Sequence, residues 1–227
     1  MAASEQEIKF IELLLKSEVL KFGEFVTKSG RISPYFFNTG NIDTGLILSE
    51  AAKVYAHTLQ EKFGDKPTNL FGPAYKGIPL CVSVSEKLAG LLRRDVSFTY
   101  NRKEAKDHGE GGTLVGHSYM PGDKVVIVED VLTGGTSIRE TMDLFKNIDV
   151  EVIGAIVGID RQEKGKNEDS SLSARKEVEK EYGIPVVSIV DLDKIIDSLY
   201  GQEFLGKVWI DDEIKENIDA YRKKYGA

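Results

Sequence analysis

The segment VVIVEDVLTGGTS, residues 125–137, decides the fold of this chain. Its first four residues are β-branched and predict a buried strand, two adjacent acids follow at the carboxyl end of that strand, and a glycine-containing loop then opens a helix. Ligands of open parallel sheets bind at the carboxyl ends of the strands. The segment therefore predicts both an α/β sheet and a ligand site at one edge of it.

The loop of this segment has the chemistry of a phosphate site. Its glycines let the backbone approach a phosphate closely, the N–H groups at the helix start point towards the ligand, and three hydroxyls add donors. Glu129 and Asp130 would repel a phosphate, so we expect them to accept hydrogen bonds from the hydroxyls of an attached sugar. The segment predicts a ribose phosphate site, with an acidic strand end before an ordinary glycine turn as the alternative.

Two other nucleotide patterns are absent from the sequence. The triphosphate loop GxxxxGK[ST] does not occur, and the dinucleotide pattern GxGxxG fails because Leu114 stands where the third glycine would follow Gly109 and Gly111. The ribose phosphate interpretation therefore has no competing nucleotide motif.

Short apolar runs alternate with helical patterns along most of the chain. NLFGPA, DVSFTYN, KVVIVED, VEVIGAIVGID and PVVSIV predict strands, and the segments between them predict helices. This alternation is typical of parallel strands whose crossover helices cover both faces of the sheet. The expected fold class is α/β, with a central, mostly parallel sheet flanked by helices.

The two ends of the chain add a hood and a terminal helix. Ser4 and Glu7 have the spacing of a capping box and predict an N-terminal helix, while residues 23–40 combine β-prone runs with turn signals and predict a small antiparallel flap. Other helices are predicted over 46–63, from Pro79 to Leu91 and near 172–182. We expect one domain, 1–227, with a hood over about 1–45, a core over about 46–200 and a C-terminal helix over about 211–225.

Composition excludes several classes of protein. The 227 residues carry a net charge of −7, which disfavours a nucleic-acid binder with a broad basic surface. The single cysteine, Cys81, excludes an internal disulfide and indicates a reducing compartment. No basic region precedes an apolar stretch at the N-terminus, and no long apolar run suggests a membrane span. We expect a cytoplasmic protein that does not bind membranes.

Two further segments carry candidate cations. RKEAKDHGEGG, residues 102–112, balances three cations against three acids, and its glycines allow it to act as a lid over a reacting phosphate, although by itself it is typical of a solvated loop. FGPAYKGIPL, residues 71–80, places Tyr75 and Lys76 after a strand end, on the same sheet edge as the acidic pair. Phosphate binding and solubility explain a lone lysine there about equally well.

Three other residues have chemistry but no suitable partners in the sequence. His57 and His117 lack neighbours at metal-ligand spacing, and Cys81 falls within a predicted helix. We interpret the histidines as structural and the cysteine as a small buried apolar residue.

The motifs together resemble those of one enzyme family. VVIVEDVLTGGTS is similar to the phosphoribosyl-pyrophosphate signature of type I phosphoribosyltransferases, which alone indicates only the superfamily. TKSGRISPYFFNTG, FGPAYKGIP, YNRKEAKDHGEGG and GIDRQEKG resemble segments of the orotate phosphoribosyltransferase family. The resemblance covers nearly the whole chain, with length and C-terminal region most similar to fungal forms, and the chain is too short for the decarboxylase domain fused to this enzyme in animals.

The resemblance implies transfer of a phosphoribosyl group to N1 of orotate, which yields orotidine 5′-monophosphate and pyrophosphate. It implies a type I phosphoribosyltransferase fold, a magnesium cofactor and a homodimer in which each lid serves the neighbouring subunit. Magnesium would be carried by the pyrophosphate, near Asp130, with no ligand set of its own on the protein. No general base is implied, because the N1 proton of orotate is acidic.

The resemblance also implies roles for individual residues. The catalytic set is Arg102, Lys103, Lys106, His108 and Asp130. The phosphoribosyl-pyrophosphate set consists of Lys28, Tyr75, Lys76, Arg102, Lys103, Lys106, His108, Glu129, Asp130, Val131, Leu132, Thr133, Gly134, Gly135, Thr136 and Ser137. The orotate set is Lys28, Phe36, Phe37, Thr133 and Arg161, with Arg161 binding the carboxylate of the base.

Two alternatives remain open at the level of the sequence. One is a phosphoribosyltransferase for another base. The other is a regulator that binds phosphoribosyl pyrophosphate without catalysis, against which the intact lid and the absence of a basic patch argue.

Overall fold

The computed structural model describes residues 3–27, 30–106, 112–166 and 171–227. In chain order its elements are α1 (Glu5–Lys16), β1 (Leu20–Val26), β2 (Ile32–Phe37), α2 (Gly45–Phe63), β3 (Asn69–Gly72), α3 (Gly77–Leu92), β4 (Ser97–Lys106), β5 (Gly112–Gly116), β6 (Lys124–Leu132), α4 (Thr136–Phe145), β7 (Glu151–Asp160), α5 (Ala174–Tyr182), β8 (Val186–Asp191), α6 (Leu192–Leu199), β9 (Glu203–Phe204), β10 (Lys207–Val208) and α7 (Asp212–Tyr225).

The central sheet has six strands in the order β5-β4-β3-β6-β7-β8. All neighbouring pairs are parallel except the edge strand β5, which runs antiparallel to β4. The carboxyl ends of β3, β6 and β7 therefore meet at one edge of the sheet. This arrangement confirms the predicted α/β fold class.

Strand β6 is buried on both faces, and its side chains alternate between two hydrophobic cores. Val126 and Val128 pack with residues of α1, α2 and α3, whereas Ile127 packs with residues of α4 and α5. Successive side chains of a strand point to opposite faces, so a run of β-branched residues suits a strand that is covered twice. The sequence pattern predicts helices on both faces for the same reason.

The hood forms as the sequence predicts. Ser4 and Glu7 make both hydrogen bonds of the capping box at the start of α1. Strands β1 and β2 pair antiparallel in a sheet of their own, and α7 packs against β2. The C-terminal helix therefore supports the hood. Among the described residues, no helix is long and apolar enough to cross a membrane.

Two predicted boundaries differ from the structure. Helix α3 begins at Gly77, two residues before the predicted start at Pro79. Pro79 can lie within the first turn because its missing N–H would have no helical hydrogen-bond partner there. The sequence predicts a loop over 102–112, but residues 102–106 extend β4 and Gly112 belongs to β5. After a shift in register beyond Asn101, Lys106 pairs with Gly112, a long-range pairing that charge and glycine content do not reveal. Residues 107–111 lie outside the described part.

Close packing at the end of β3 yields a test of this fold. A Cβ atom on Gly72 would lie 2.3 Å from the carbonyl oxygen of Gly77 and 2.5 Å from Cβ of Cys81. We expect Gly72→Ala to lower the free energy of unfolding by about 2 kcal/mol, because α3 would have to shift. The matched control is Gly90→Ala, at an exposed position of α3 with nothing within 4 Å. It should stabilise the protein by up to about 1 kcal/mol, and equal denaturation midpoints for the two variants would contradict the packing.

Candidate active site

The acidic pair lies at the carboxyl end of β6, where it meets the turn after β2. The carboxylate of Asp130 accepts a hydrogen bond from the hydroxyl of Thr39. Nζ of Lys76 lies 3.0 Å from that hydroxyl oxygen and 3.9 Å from Oδ2 of Asp130. The structure thus brings the predicted cation and the predicted acid together through Thr39, which no sequence motif singles out.

Glu129 is buried, and one of its carboxylate oxygens is unsatisfied. Its Oε2 has no hydrogen-bond partner among the described residues. Burial, together with the nearby charge of Asp130, raises the pKa of Glu129 to about 8. A buried, partly unsatisfied carboxyl is suited to accept a hydrogen bond from a ligand hydroxyl or to face a bound cation.

The loop over residues 133–137, here called the phosphate loop, joins β6 to α4, as the sequence predicts for a strand followed by a glycine turn and a helix. Gly135 has a φ of 72°, which favours glycine, and α4 begins at the next residue. The guanidinium of Arg139 donates a hydrogen bond of 2.6 Å to the carbonyl of Gly134 and forms ion pairs with Glu177 and Glu181 of α5. Arg139 therefore supports the loop from behind, another residue that no sequence motif singles out.

Two cavities open along this edge of the sheet. One, of about 260 Å³, is lined by Thr39, Tyr75, Lys76 and Asp130 among others. The other, of about 410 Å³, lies among Ala74, Asn101, Arg102, Lys103 and Ser137. A larger groove of about 740 Å³ separates the hood from α7, but its lining contains none of the predicted site residues that the structure describes. Volume alone therefore does not identify the site.

The end of β3 and the turn before α3 contact side chains of β4. Nζ of Lys103 is 5.2 Å from the ring centroid of Tyr75, and Oδ1 of Asn101 accepts a hydrogen bond of 2.9 Å from the amide of Ala74. The guanidinium of Arg102 donates to the carbonyl of Gly112 across the β4–β5 pair. Lys103 of β4 therefore lies beside the turn that carries Tyr75 and Lys76.

Arg161 follows β7 and lies beneath the hood. Its guanidinium carbon is 5.3 Å from the ring centroid of Tyr35 and 5.9 Å from that of Phe37. Phe36 lies on the opposite face of β2 and stacks on Phe25 at 5.4 Å. Neighbours in a strand point to opposite sides, so only Phe37 of this pair accompanies Arg161. Arg161 also forms an ion pair with Glu163.

Some predicted residues are not brought into this geometry. Lys28 and His108 lie outside the described residues, and for Lys106 the structure describes the strand position, opposite Gly112. Their roles stay predictions.

Other polar residues have the structural surroundings expected of them. Cys81 is buried in α3, where burial raises the pKa of its thiol. His117 forms a 2.9 Å contact with Asp123, and His57 lies on the exposed side of α2.

The site residues that the sequence does not predict have few local signals. Thr39 contacts Asp130 across 91 positions of sequence, and no short pattern links them. Glu163 stands two residues after Arg161, so charge complementarity within GIDRQEKG is the one available signal.

The fold and the site define the class of protein. The phosphoribosyl transferase domain family matches residues 38–187, which span the parallel sheet from β3 to β7 and the loop between β6 and α4, so the chain is a phosphoribosyltransferase. Orotate phosphoribosyltransferase of Clostridium acetobutylicum is 47% identical over 96% of this chain and 97% of its own. That of Kluyveromyces lactis is 45% identical over 100% of this chain and 98% of its own.

A solved structure extends the similarity to three dimensions. Orotate phosphoribosyltransferase of Francisella tularensis aligns with a TM-score of 0.79 and 39% identity, covering 96% of this chain and 99% of that one. The chain belongs to the orotate phosphoribosyltransferase family. The sequence identities to the Clostridium and Kluyveromyces enzymes are nearly equal, at 47% and 45%, and the Kluyveromyces enzyme matches the full length of this chain.

The environment of Glu129 predicts a pH dependence of stability. A glutamate in the unfolded chain ionises near pH 4.5, whereas folded Glu129, with its pKa raised to about 8, retains its proton up to about that pH. Between these values the folded state binds more protons, so stability from this group is present at the acidic end and is lost as the pH rises.

We therefore expect Glu129→Gln to raise the melting temperature, relative to the parent, more at about pH 8.5 than at about pH 5. Thermal unfolding of the ligand-free protein measures this difference. Glu50→Gln, at an exposed surface ion pair, is the control and should give the same small difference at both pH values. A Glu129→Gln difference that does not grow with pH would show that the carboxyl is not buried as described.

Proposed function

We propose that the protein transfers the 5-phosphoribosyl group of phosphoribosyl pyrophosphate to N1 of orotate, forming orotidine 5′-monophosphate and pyrophosphate for UMP synthesis. One observation supports the proposal beyond family membership: the ends of the neighbouring strands β6 and β7 carry the loop that would bind a ribose phosphate and the cation that would bind an anionic base. The backbone amide of Arg161 donates to the carbonyl of Leu132, so the two sites are in direct contact.

The β6 loop would hold the ribose 5′-phosphate. The amides at the start of α4 and the hydroxyls of Thr133, Thr136 and Ser137 supply donors, and the positive end of the helix favours the anion. Glu129 and Asp130 would accept hydrogen bonds from the ribose hydroxyls. Val131 and Leu132 connect these two parts along the same strand.

Cations beside the loop would stabilise the leaving group. Breaking the bond between the anomeric carbon and pyrophosphate leaves positive charge on the ribose and negative charge on the phosphates. Lys76, Arg102 and Lys103 lie where they can contact those phosphates, with Tyr75 beside Lys103. Asp130 would stabilise the positive charge on the sugar, as carboxylates do in glycoside hydrolysis, while Glu129, which keeps its proton up to about pH 8, would hydrogen-bond the ribose hydroxyls.

Magnesium fits this site as an ion shared with the substrate. Among the described residues, no group of three or more histidine, cysteine, aspartate or glutamate side chains could hold a metal. Mg²⁺ commonly binds substrate phosphates together with one or two carboxylates, and Asp130 lines the cavity next to Lys76 where the pyrophosphate would carry the ion. Bound there, the ion would neutralise the charge of the pyrophosphate.

The base would lie between the hood and the end of β7. Arg161 would bind the carboxylate of orotate through its planar guanidinium, with Phe37 and Thr133 bordering the ring and Lys28 and Phe36 completing the hood. Orotate N1 gives up its proton readily, so the proposal assigns no general base.

Three further elements of the proposal rest on the family. The protein would act as a homodimer, Lys106 and His108 of each lid would contact the pyrophosphate in the partner's site, and the reaction would take place in the cytoplasm. The buried, unpaired thiol of Cys81 is in keeping with a reducing compartment.

The direct test measures loss of the base in the presence of phosphoribosyl pyrophosphate and Mg²⁺. Orotate should be consumed, whereas uracil, which lacks the carboxylate, and hypoxanthine should react far more slowly because Arg161 would be left without its partner. Comparable use of uracil and orotate would contradict the assigned base. Binding of phosphoribosyl pyrophosphate without turnover of any base would favour the regulatory alternative.

Asp130→Asn tests the role of the acidic pair. Loss of the charge removes transition-state stabilisation on the order of 3 kcal/mol, so we expect kcat to fall by about a hundredfold while the protein stays folded. Asp149→Asn, at an exposed position before the amino end of β7, is the control and should behave as the parent. Parent-like turnover in a folded Asp130→Asn protein would exclude the assigned role.

Mixing two inactive variants tests the shared lid. In a heterodimer of Lys106→Ala and Asp130→Asn subunits, one site carries both defects and the other carries neither. Random exchange makes half the dimers mixed, so activity should recover to roughly a quarter of the parent level. Each variant mixed with itself is the control. Demonstrated heterodimers without recovered activity would show that each lid serves its own subunit.

A further inference from the structure

Glu163 is a buried carboxylate with a full set of donors, and the reaction proposed above does not use it. It is 6% exposed. Its Oε1 accepts hydrogen bonds from Nε and Nη2 of Arg161 at 2.9 and 2.6 Å and from the hydroxyls of Tyr35 and Tyr221 at 3.2 Å each. Four donors on one oxygen fix the position of the carboxylate and of the guanidinium it binds.

The donors come from three separate parts of the fold. Arg161 follows β7, Tyr35 belongs to β2 of the hood, and Tyr221 belongs to α7. The rings of Tyr221 and Tyr35 pack edge to face with their centroids 5.6 Å apart. Glu163 is therefore the point at which the sheet, the hood and the C-terminal helix are joined by hydrogen bonds.

The end of the chain holds the backbone around Glu163. The amide of Lys164 donates to the carbonyl of Tyr225 at 3.0 Å, and the amide of Ala227 donates to the carbonyl of Gln162 at 3.1 Å. Glu163 also forms an isolated antiparallel bridge with Gly226. Both the side chain and the backbone of this segment are thus fixed by α7 and the residues after it.

This geometry leaves a defined part of Arg161 for a ligand. Glu163 binds the side of the guanidinium formed by Nε and Nη2, while Tyr35 covers one of its faces at 5.3 Å. A guanidinium can bind a second carboxylate through the edge formed by Nη1 and Nη2. Fixing the first edge determines the direction in which the second one points.

We propose that Glu163 is a positioning residue that, held by Tyr221 of the C-terminal helix and Tyr35 of the hood, orients Arg161 so that its remaining edge meets the carboxylate of the base. The inference rests on the proposed function, in which Arg161 binds orotate. It gives α7 a role in base specificity, although α7 contributes no residue to the predicted substrate sets.

A residue that only stabilised the fold would have different effects when substituted. It would change the melting temperature and affect both substrates alike, because a loosened hood disturbs the whole site. A positioning residue acts through Arg161, so its loss should affect orotate selectively and should cost nothing further once Arg161 is absent.

The test compares Glu163→Ala, Glu163→Gln, Arg161→Ala and the double variant Arg161→Ala/Glu163→Ala in steady-state kinetics with both substrates. We expect Glu163→Ala to raise the KM for orotate about tenfold or more, with the KM for phosphoribosyl pyrophosphate changed by less than about twofold. Glu163→Gln keeps an acceptor oxygen and should restore most of the loss. The double variant should be no worse than Arg161→Ala.

Tyr221→Phe tests the same contact with a milder change. Removal of one donor to Glu163 should raise the KM for orotate by roughly threefold. Tyr225→Phe is the matched control on the same helix, because among the described residues the side chains that donate to Glu163 are Tyr35, Arg161 and Tyr221. Tyr221→Phe carries the test if Glu163→Ala does not fold.

The outcomes separate the two proposals. Parent-like use of orotate by Arg161→Ala would contradict the assigned orotate contact itself. Impaired Arg161→Ala with parent-like Glu163→Ala and Tyr221→Phe would overturn the positioning role alone. Equal loss for both substrates, a Glu163→Gln as poor as Glu163→Ala, or additive losses in the double variant would also overturn it.

Discussion

The burial of β6 on both faces is the constraint on which the rest of the site depends. Four β-branched residues in succession are all buried only if helices cover both faces of the sheet. The residues that follow them then lie near the carboxyl edge of the sheet, where ligands of such folds bind. Glu129 and Asp130 directly follow these four residues, within the last four positions of β6. Burial of the preceding apolar residues fixes the position of the strand, and this fixes the positions of the two acidic residues as well.

Charge is organised around this edge in two places. At the first, Lys76 lines the cavity that contains Asp130, and Arg102 and Lys103 line a second cavity that contains Ser137, in a chain whose net charge is −7. At the second, Arg161 is held under the hood by Glu163. A buried guanidinium is stable only if it is paired and hydrogen-bonded, so the ligand-free protein needs Glu163 as much as the proposed base site does. The hood and α7 thereby become part of the site.

The sequence is sufficient for those features that depend on local patterns. The unbroken burial of Val125 to Val128 in β6, the capping box at Ser4 and the glycine at the start of α4 each follow from physics that acts within a few residues. It is insufficient for contacts made by the fold. Thr39 meets Asp130 only because the turn after β2 lies over β6, and the antiparallel pairing of residues 102–106 depends on an edge of β4 that composition does not reveal. Phe36 and Phe37 look equivalent in sequence, but strand geometry separates them.

The central claim is that one sheet edge holds two anions side by side, a ribose phosphate on the β6 loop and the carboxylate of the base on Arg161. A crystal structure of the protein with the product orotidine 5′-monophosphate, which carries both anions and does not react without pyrophosphate, measures this most directly. We expect the 5-phosphate at the amides of residues 134–137, the orotate carboxylate on the Nη1 and Nη2 edge of Arg161, and Glu163 still bound to the Nε side. An orotate carboxylate bound away from Arg161, or a 5-phosphate bound elsewhere than the β6 loop, would contradict it.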